Sequence, residues 1–192
     1  MNVFSPLCEL ARYLSTHDVD LNVSFDHEKR HYPLHWLCCG VTYINGDTDQ
    51  QVLKIKLLLD LGADPNLKNA SGNAPFTLLD CSHPQILNLV DLFLDRGADI
   101  NITDSFGETL LHKSIMECNH QLFEYLLDNG ATVSKKDIEC ARSNVKRLEF
   151  KVKHNYNSLH EFTPEQAKQK YASAVAIYDL LIHHKRFEHE SD

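Results

Sequence analysis

The chain has 192 residues, 43% of them hydrophobic, and a formal net charge of −8, which is room for one elongated domain or one domain with an appendage. No run of about 18 uninterrupted apolar residues occurs, so nothing reads as a membrane span, and the opening stretch MNVFSPLCELARYL lacks the basic start and apolar core of a secretory signal. Residues 1–136 hold 10 Lys/Arg against 18 Asp/Glu while residues 137–192 hold 9 of each, and an acidic N-terminal part repels phosphate backbones, so nucleic acid is not an expected partner.

Taken in chain order, Ser5-Pro6 reads as an N-cap and a first helical residue, and Leu7, Leu10, Ala11 and Leu14 make an amphipathic helix leading into Asp20-Leu21-Asn22. Tyr32-Pro33-Leu34-His35 opens the next helix: proline at the first helical position loses nothing, because that N–H has no intrahelical partner. A leucine-rich run then closes as LLLDLGADPN at Asn66, again as LFLDRGADIN at Asn101 and a third time as YLLDNGATVS at Ser134. Gly62, Gly97 and Gly130 lie 35 and then 33 residues apart, and each can take the left-handed conformation that ends a helix. Between these endings stand two further openers, Ala74-Pro75-Phe76-Thr77 and Thr109-Leu110-Leu111-His112. Apolar residues recur at helical spacing before each glycine: Val52, Ile55, Leu58 and Leu59, then Ile86, Leu89, Val90, Phe93 and Leu94, then Leu122, Phe123, Leu126 and Leu127. Each helix pair has an apolar face it cannot bury alone, so neighbouring pairs must stack.

These openers and endings resemble the ankyrin repeat, which pairs a T-P-L-H-x-A opener with a turn and two helices in about 33 residues. The likeness covers residues 5–136, with a degraded first turn at His17–Asn22 in which Asp18 stands where later units have glycine. It implies an all-α ankyrin-repeat solenoid of about three full repeats, an N-terminal half-repeat and a C-terminal helical cap. Pro33 to Gly62 spans 29 residues whereas Leu110 to Gly130 spans 20, so the first full repeat carries an insertion of nine within Gly40–Gln51. A smaller insertion surrounds Ser82-His83-Pro84, and the two loops are expected to adjoin.

Beyond Ser134, Ile138, Ala141, Val145, Leu148 and Val152 predict a helix over about 136–153. Thr163-Pro164-Glu165-Gln166 is an N-cap threonine, a first-position proline and a glutamine three residues on, and it opens a second helix with a seam of Ala167, Tyr171, Ala174, Tyr178 and Leu181. The seam's partner is either the preceding helix, folding back to cover the last repeat, or a second chain; open repeat ends need covering, which favours the first. Two domains are expected, a repeat stack over 1–136 and a helical hairpin with a short acidic tail over 137–192.

No catalytic group is visible. His35, Cys38 and Cys39 lie within one helical turn, but no second ligand pair stands at zinc spacing, and no G-x-S-x-G, P-loop, dinucleotide fingerprint or H-E-x-x-H occurs. We therefore expect no enzyme activity, no cofactor and no metal. The resemblance implies that His35 and His112 form hydrogen bonds within and between repeats. The six cysteines show no disulfide-framework spacing and read as free thiols of a reducing, cytoplasmic location.

What remains is a protein-binding module, acting as a monomeric adaptor, inhibitor or scaffold through its concave face and hairpin tips. The tips hold Arg30 and His31, then Ala70, Ser71 and Asn73, then Ser105, Phe106 and Glu108. Phe106 is the clearest anchor, because interfaces favour aromatics; packing against the neighbouring tip is its alternative role. Tyr43 and Ile44 in the first insertion are apolar in a polar loop, either a lid or a contact, and the exposed ends of the first helices add Cys39, Cys81, Ser82, Met116 and Glu117. The alternative function is a regulatory or targeting subunit that binds through the C-terminal helices. Ankyrin proteins of intracellular bacteria are often injected into host cells, and the tail Phe187–Asp192 is compatible with such an effector.

Overall fold

A computed structural model describes residues 16–17, 19–24, 32–39, 48–154 and 163–189, with side chains described up to residue 183. Among these the chain is all-helical, without strands: α1 (Pro33–Cys38), α2 (Thr48–Asp60), a 3-10 turn (Pro75–Leu78), α3 (Ile86–Leu94), α4 (Leu110–Glu117), α5 (His120–Asp128), α6 (Lys135–Lys153) and α7 (Pro164–His189). Contacts group the chain into two compact units, residues 1–109 and 110–192. The expected helix over Leu7–Leu14, the turn position Asp18 and the loop residues 40–47 lie outside the described residues.

In the first unit, Pro33 occupies the first turn of α1 behind an extended Tyr32, and Pro75 does the same behind an extended Ala74. α1 packs on α2 and on the 3-10 turn, and α2 packs on α3. Leu34, Ile55, Phe76 and Phe93 are fully buried between them, with the Phe76 and Phe93 rings tilted at 5.6 Å. Gln51, itself buried, donates to the Leu37 carbonyl at 2.7 Å and so satisfies an end group of α1.

The second opener departs from expectation. Pro75 starts a single four-residue 3-10 turn instead of a full helix, and Leu79 is already extended. Asp80 supplies the reason: its carboxylate accepts from the Ser82 N–H at 2.8 Å and the Ser82 hydroxyl at 2.7 Å, offering the backbone a local turn in place of a helix. Gln85 in this loop reaches back and donates to Asp49 at the start of α2.

Each glycine ending is the same device. Gly62, Gly97 and Gly130 have φ of 93°, 80° and 91°. In each case the glycine N–H bonds three residues back and the following alanine N–H bonds five residues back: Gly62 to Leu59 and Ala63 to Leu58, Gly97 to Leu94 and Ala98 to Phe93, Gly130 to Leu127 and Ala131 to Leu126, all at 2.9–3.1 Å. This is the Schellman motif, which satisfies carbonyls a helix end leaves open. Cys118 ends α4 in the same way at φ 56°, without glycine's freedom; its side chain is held in a cluster with Leu148 and Ala174.

In the second unit the seam of α7 turns inward. Ala167, Ala174, Ile177 and Leu181 are buried, Tyr171 and Val145 pack on the Cys118 cluster, and Arg142 of α6 donates to the Tyr178 hydroxyl at 3.3 Å. α6 packs on α4 and α7 packs on α5, so the hairpin covers the third helix pair as a cap. Asn144 of α6 donates to the Ile115 carbonyl at 2.8 Å and Lys170 of α7 to the Glu117 carbonyl at 3.1 Å, which closes the end of α4.

Candidate functional site

Two tips of the first unit are built alike, 35 residues apart, on Asn69 and Asp104. The Asn69 side-chain oxygen accepts from the N–H groups of Ser71 and Asn73, both at 3.0 Å. The Asp104 carboxylate accepts from those of Phe106 at 2.9 Å and Glu108 at 3.0 Å. Backbone bonds close each loop, Asn69 N–H to Asn73 at 2.9 Å and Asp104 N–H to Glu108 at 2.9 Å, and Gly72 and Gly107 take the positive φ the turn needs. A short side chain that bonds the backbone two and four residues on fixes a tip that has no helix or sheet to support it.

Neighbouring tips are tied together. Asn73 accepts from the Ser105 N–H at 3.0 Å, Lys68 donates to the Thr103 carbonyl at 2.9 Å, and His35 Nε2 donates to the Asn73 carbonyl at 2.9 Å. Asn73, named as a contact residue from sequence, is thus committed through two of its oxygens to holding the tips. Ser71 and Ser105 are exposed and Glu108 is half-buried. Phe106 is 80% exposed, so it does not pack against the neighbouring tip. A hydrogen-bonded turn therefore presents an uncovered aromatic ring.

The remaining sequence-named residues fall elsewhere. Met116 and Glu117 are exposed at the end of α4 in the second unit, where the Glu117 carboxylate lies 3.7 Å from Lys170. Cys81, expected on the surface, is buried at 4% exposure, because the early end of the 3-10 turn folds it inward. Arg30, His31, Tyr43 and Ile44 lie outside the described residues.

The sequence reading overlooked a second inter-repeat device. The Asn22 side chain donates to the Gly62 carbonyl at 3.1 Å and accepts from the Asp64 N–H at 2.8 Å. One repeat on, Asn66 donates to the Gly97 carbonyl and accepts from the Asp99 N–H, both at 2.8 Å. The repeated asparagine two places after each aspartate was the available signal; what did not follow from one repeat is that its amide reaches the next.

Among the described residues the buried thiols and the opener histidine serve packing and capping. Burial pushes the Cys38 thiol far above its ordinary range, with Cys39 adding to the shift, so it holds no thiolate at neutral pH. Burial raises Cys118 as well. His112 Nδ1 donates to Asp137 Oδ1 at 2.6 Å, and the other Asp137 oxygen accepts from the Ser134 N–H at 2.7 Å and hydroxyl at 2.6 Å. The opener histidine is thereby locked to the N-cap of α6. No group of three or more His, Cys, Asp or Glu suited to a metal stands among the described residues, and no described helix is long and apolar enough to cross a membrane.

Residues 45–137 match the sequence pattern of the family described as ankyrin repeats (3 copies). They belong to the ankyrin-repeat family. Among similar proteins, the palmitoyltransferase AKR1 of Kluyveromyces lactis is 34% identical over 109 residues, covering 57% of this chain and 13% of its own length. The ankyrin repeat protein FPV034 of fowlpox virus is 35% identical over 75 residues, 36% of this chain and 18% of its own. The human transient receptor potential cation channel subfamily A member 1 is 35% identical over 60 residues, 31% of this chain and 5% of its own. The chain spans less than a fifth of each of these relatives. Their printed activities differ as widely as acyl transfer and cation conduction, so the shared ankyrin segment carries neither name to this chain.

Proposed function

We propose that this chain binds a partner protein through the tips of its ankyrin repeats, as an adaptor, inhibitor or scaffold in a reducing compartment, with Phe106 as the anchor and Ser71, Ser105 and Glu108 around it. Ankyrin repeats mediate protein–protein interaction; the finer assignment rests on one observation, an aromatic ring 80% exposed on a turn whose backbone is held by Asp104. Such a ring buries a large apolar area on contact and loses little conformational freedom, because its backbone is already fixed. The neighbouring tip, bonded to it through Asn73 and Ser105, extends the surface with hydroxyl and amide groups. The α7 seam faces α6 within its own unit, which supports the capping role over pairing with a second chain.

Hydrogen exchange of the full chain, alone and with the partner captured from its native cell, tests the assignment. The expected result is added protection over residues 69–73 and 104–108. Protection confined to residues 163–189 would replace this reading with a subunit that binds through its C-terminal helices.

A further inference from the structure

Helix α6 carries a basic face with one aromatic at its centre. Phe150 is 56% exposed, and the four helical neighbours that share its face are Lys146, Arg147, Lys153 and His154. All four are exposed. The His154 ring lies against the Phe150 ring, centroids 4.5 Å apart, and Arg147 is steadied by a 3.3 Å bond to Asn144. From Arg142 to His154 the only carboxylate is Glu149, and neither Lys146 nor Lys153 makes an ion pair among the described residues. A single exposed aromatic is ordinary; one ringed by cations, on a chain of net charge −8, is a local reversal of sign.

We propose that the α6 face centred on Phe150 is a docking site for a short acidic segment of a partner protein, which lays an apolar side chain on Phe150 and carboxylates against Lys146, Arg147 and Lys153. The face runs about 12 Å from Lys146 to His154 at the rise of an α-helix, the length of about four residues of extended chain. An apolar centre with a charged rim is the anatomy of a protein interface. Size and charge together choose this occupant over a polyanion. At physiological salt the field of the patch is felt over about 8 Å, enough for a short segment, whereas a nucleic acid or an anionic membrane extends beyond the patch over a unit, residues 110–192, that holds 12 Lys/Arg against 12 Asp/Glu and offers no net attraction. The site shares no residue with the repeat tips, so either assignment stands or falls alone.

The test uses the full chain and a short fluorescent peptide of Glu and Asp around one central Leu, followed by anisotropy. Binding is expected and should weaken as salt rises, with Phe150→Ser reducing affinity at least about tenfold and the double change Lys146→Glu with Lys153→Glu reducing it further, while melts of both variants stay with the parent. No binding of the acidic peptide, equal affinity in both variants, or tighter binding of oligothymidylate or phosphatidylserine vesicles than of the peptide would each overturn the proposal.

Discussion

At Gly97 an added Cβ would meet nothing within 4 Å, so the cost of replacing it is backbone conformation alone. Gly97→Val should lower stability by about 1–2 kcal/mol and Gly97→Asn by less, since asparagine tolerates the left-handed region; thermal melts that coincide with the parent would count against the turn. Asn66 is a different case, a side chain bridging two backbone groups of the next repeat. Asn66→Ala leaves a donor and an acceptor without that partner and should cost about 1–2 kcal/mol. The glycines were legible because few residue types take positive φ cheaply. Cys118 was not, because nothing about a cysteine announces φ 56°; the Cys118 and Asn119 N–H groups bond to the Ile115 and Ser114 carbonyls, and the side chain packs on Leu148 and Ala174. Phe106 was legible as an aromatic at a tip, and its 80% exposure, which the sequence does not give, sets aside packing against the neighbouring tip.

At the scale of elements, capping chemistry sets the boundaries. Thr163 and Gln166 exchange bonds at 2.8 and 3.2 Å, as the T-P-E-Q sequence predicts. Ser134 and Asp137 form an equivalent box at the start of α6, less visible in the sequence because aspartate stands where glutamate or glutamine is usual. The shortened 3-10 element escaped notice because A-P-F-T matches a helix opener, while the turn made by Asp80 acts from downstream. His83 in that turn gives a pH test. Burial lowers its pKa below the ordinary 6.5, against a smaller opposing pull from Asp80, and its Nδ1 accepts from the Gln85 N–H at 2.9 Å, which protonation would break. The unfolded chain therefore takes up a proton near pH 6.5 that the folded chain resists, and stability falls as pH drops through that value. Melts between pH 7.5 and 5.5 should show this loss in the parent and a smaller one in His83→Gln; equal losses would remove His83 from the account.

At the scale of the whole molecule, periodicity carried the architecture: glycines 35 and 33 residues apart fix where helix pairs end, and the α7 seam fixes which face turns inward. The partner was not legible, because repeat sequence specifies stacking more strongly than ligand. Removing residues 163–192 uncovers the apolar groups that Ala174, Ile177 and Leu181 bury against, and should cost at least about 3 kcal/mol. Affinity for the partner, measured where the shortened chain is still folded, should be kept. The most direct measurement of the central claim is calorimetric titration of the captured partner into the parent, the Phe106→Ala, Glu108→Lys variant and the chain lacking 163–192. Our account predicts a loss of at least about 2 kcal/mol in the tip variant with a nearly unchanged melt, and full affinity in the shortened chain. Affinity kept in the tip variant and lost on shortening would contradict it.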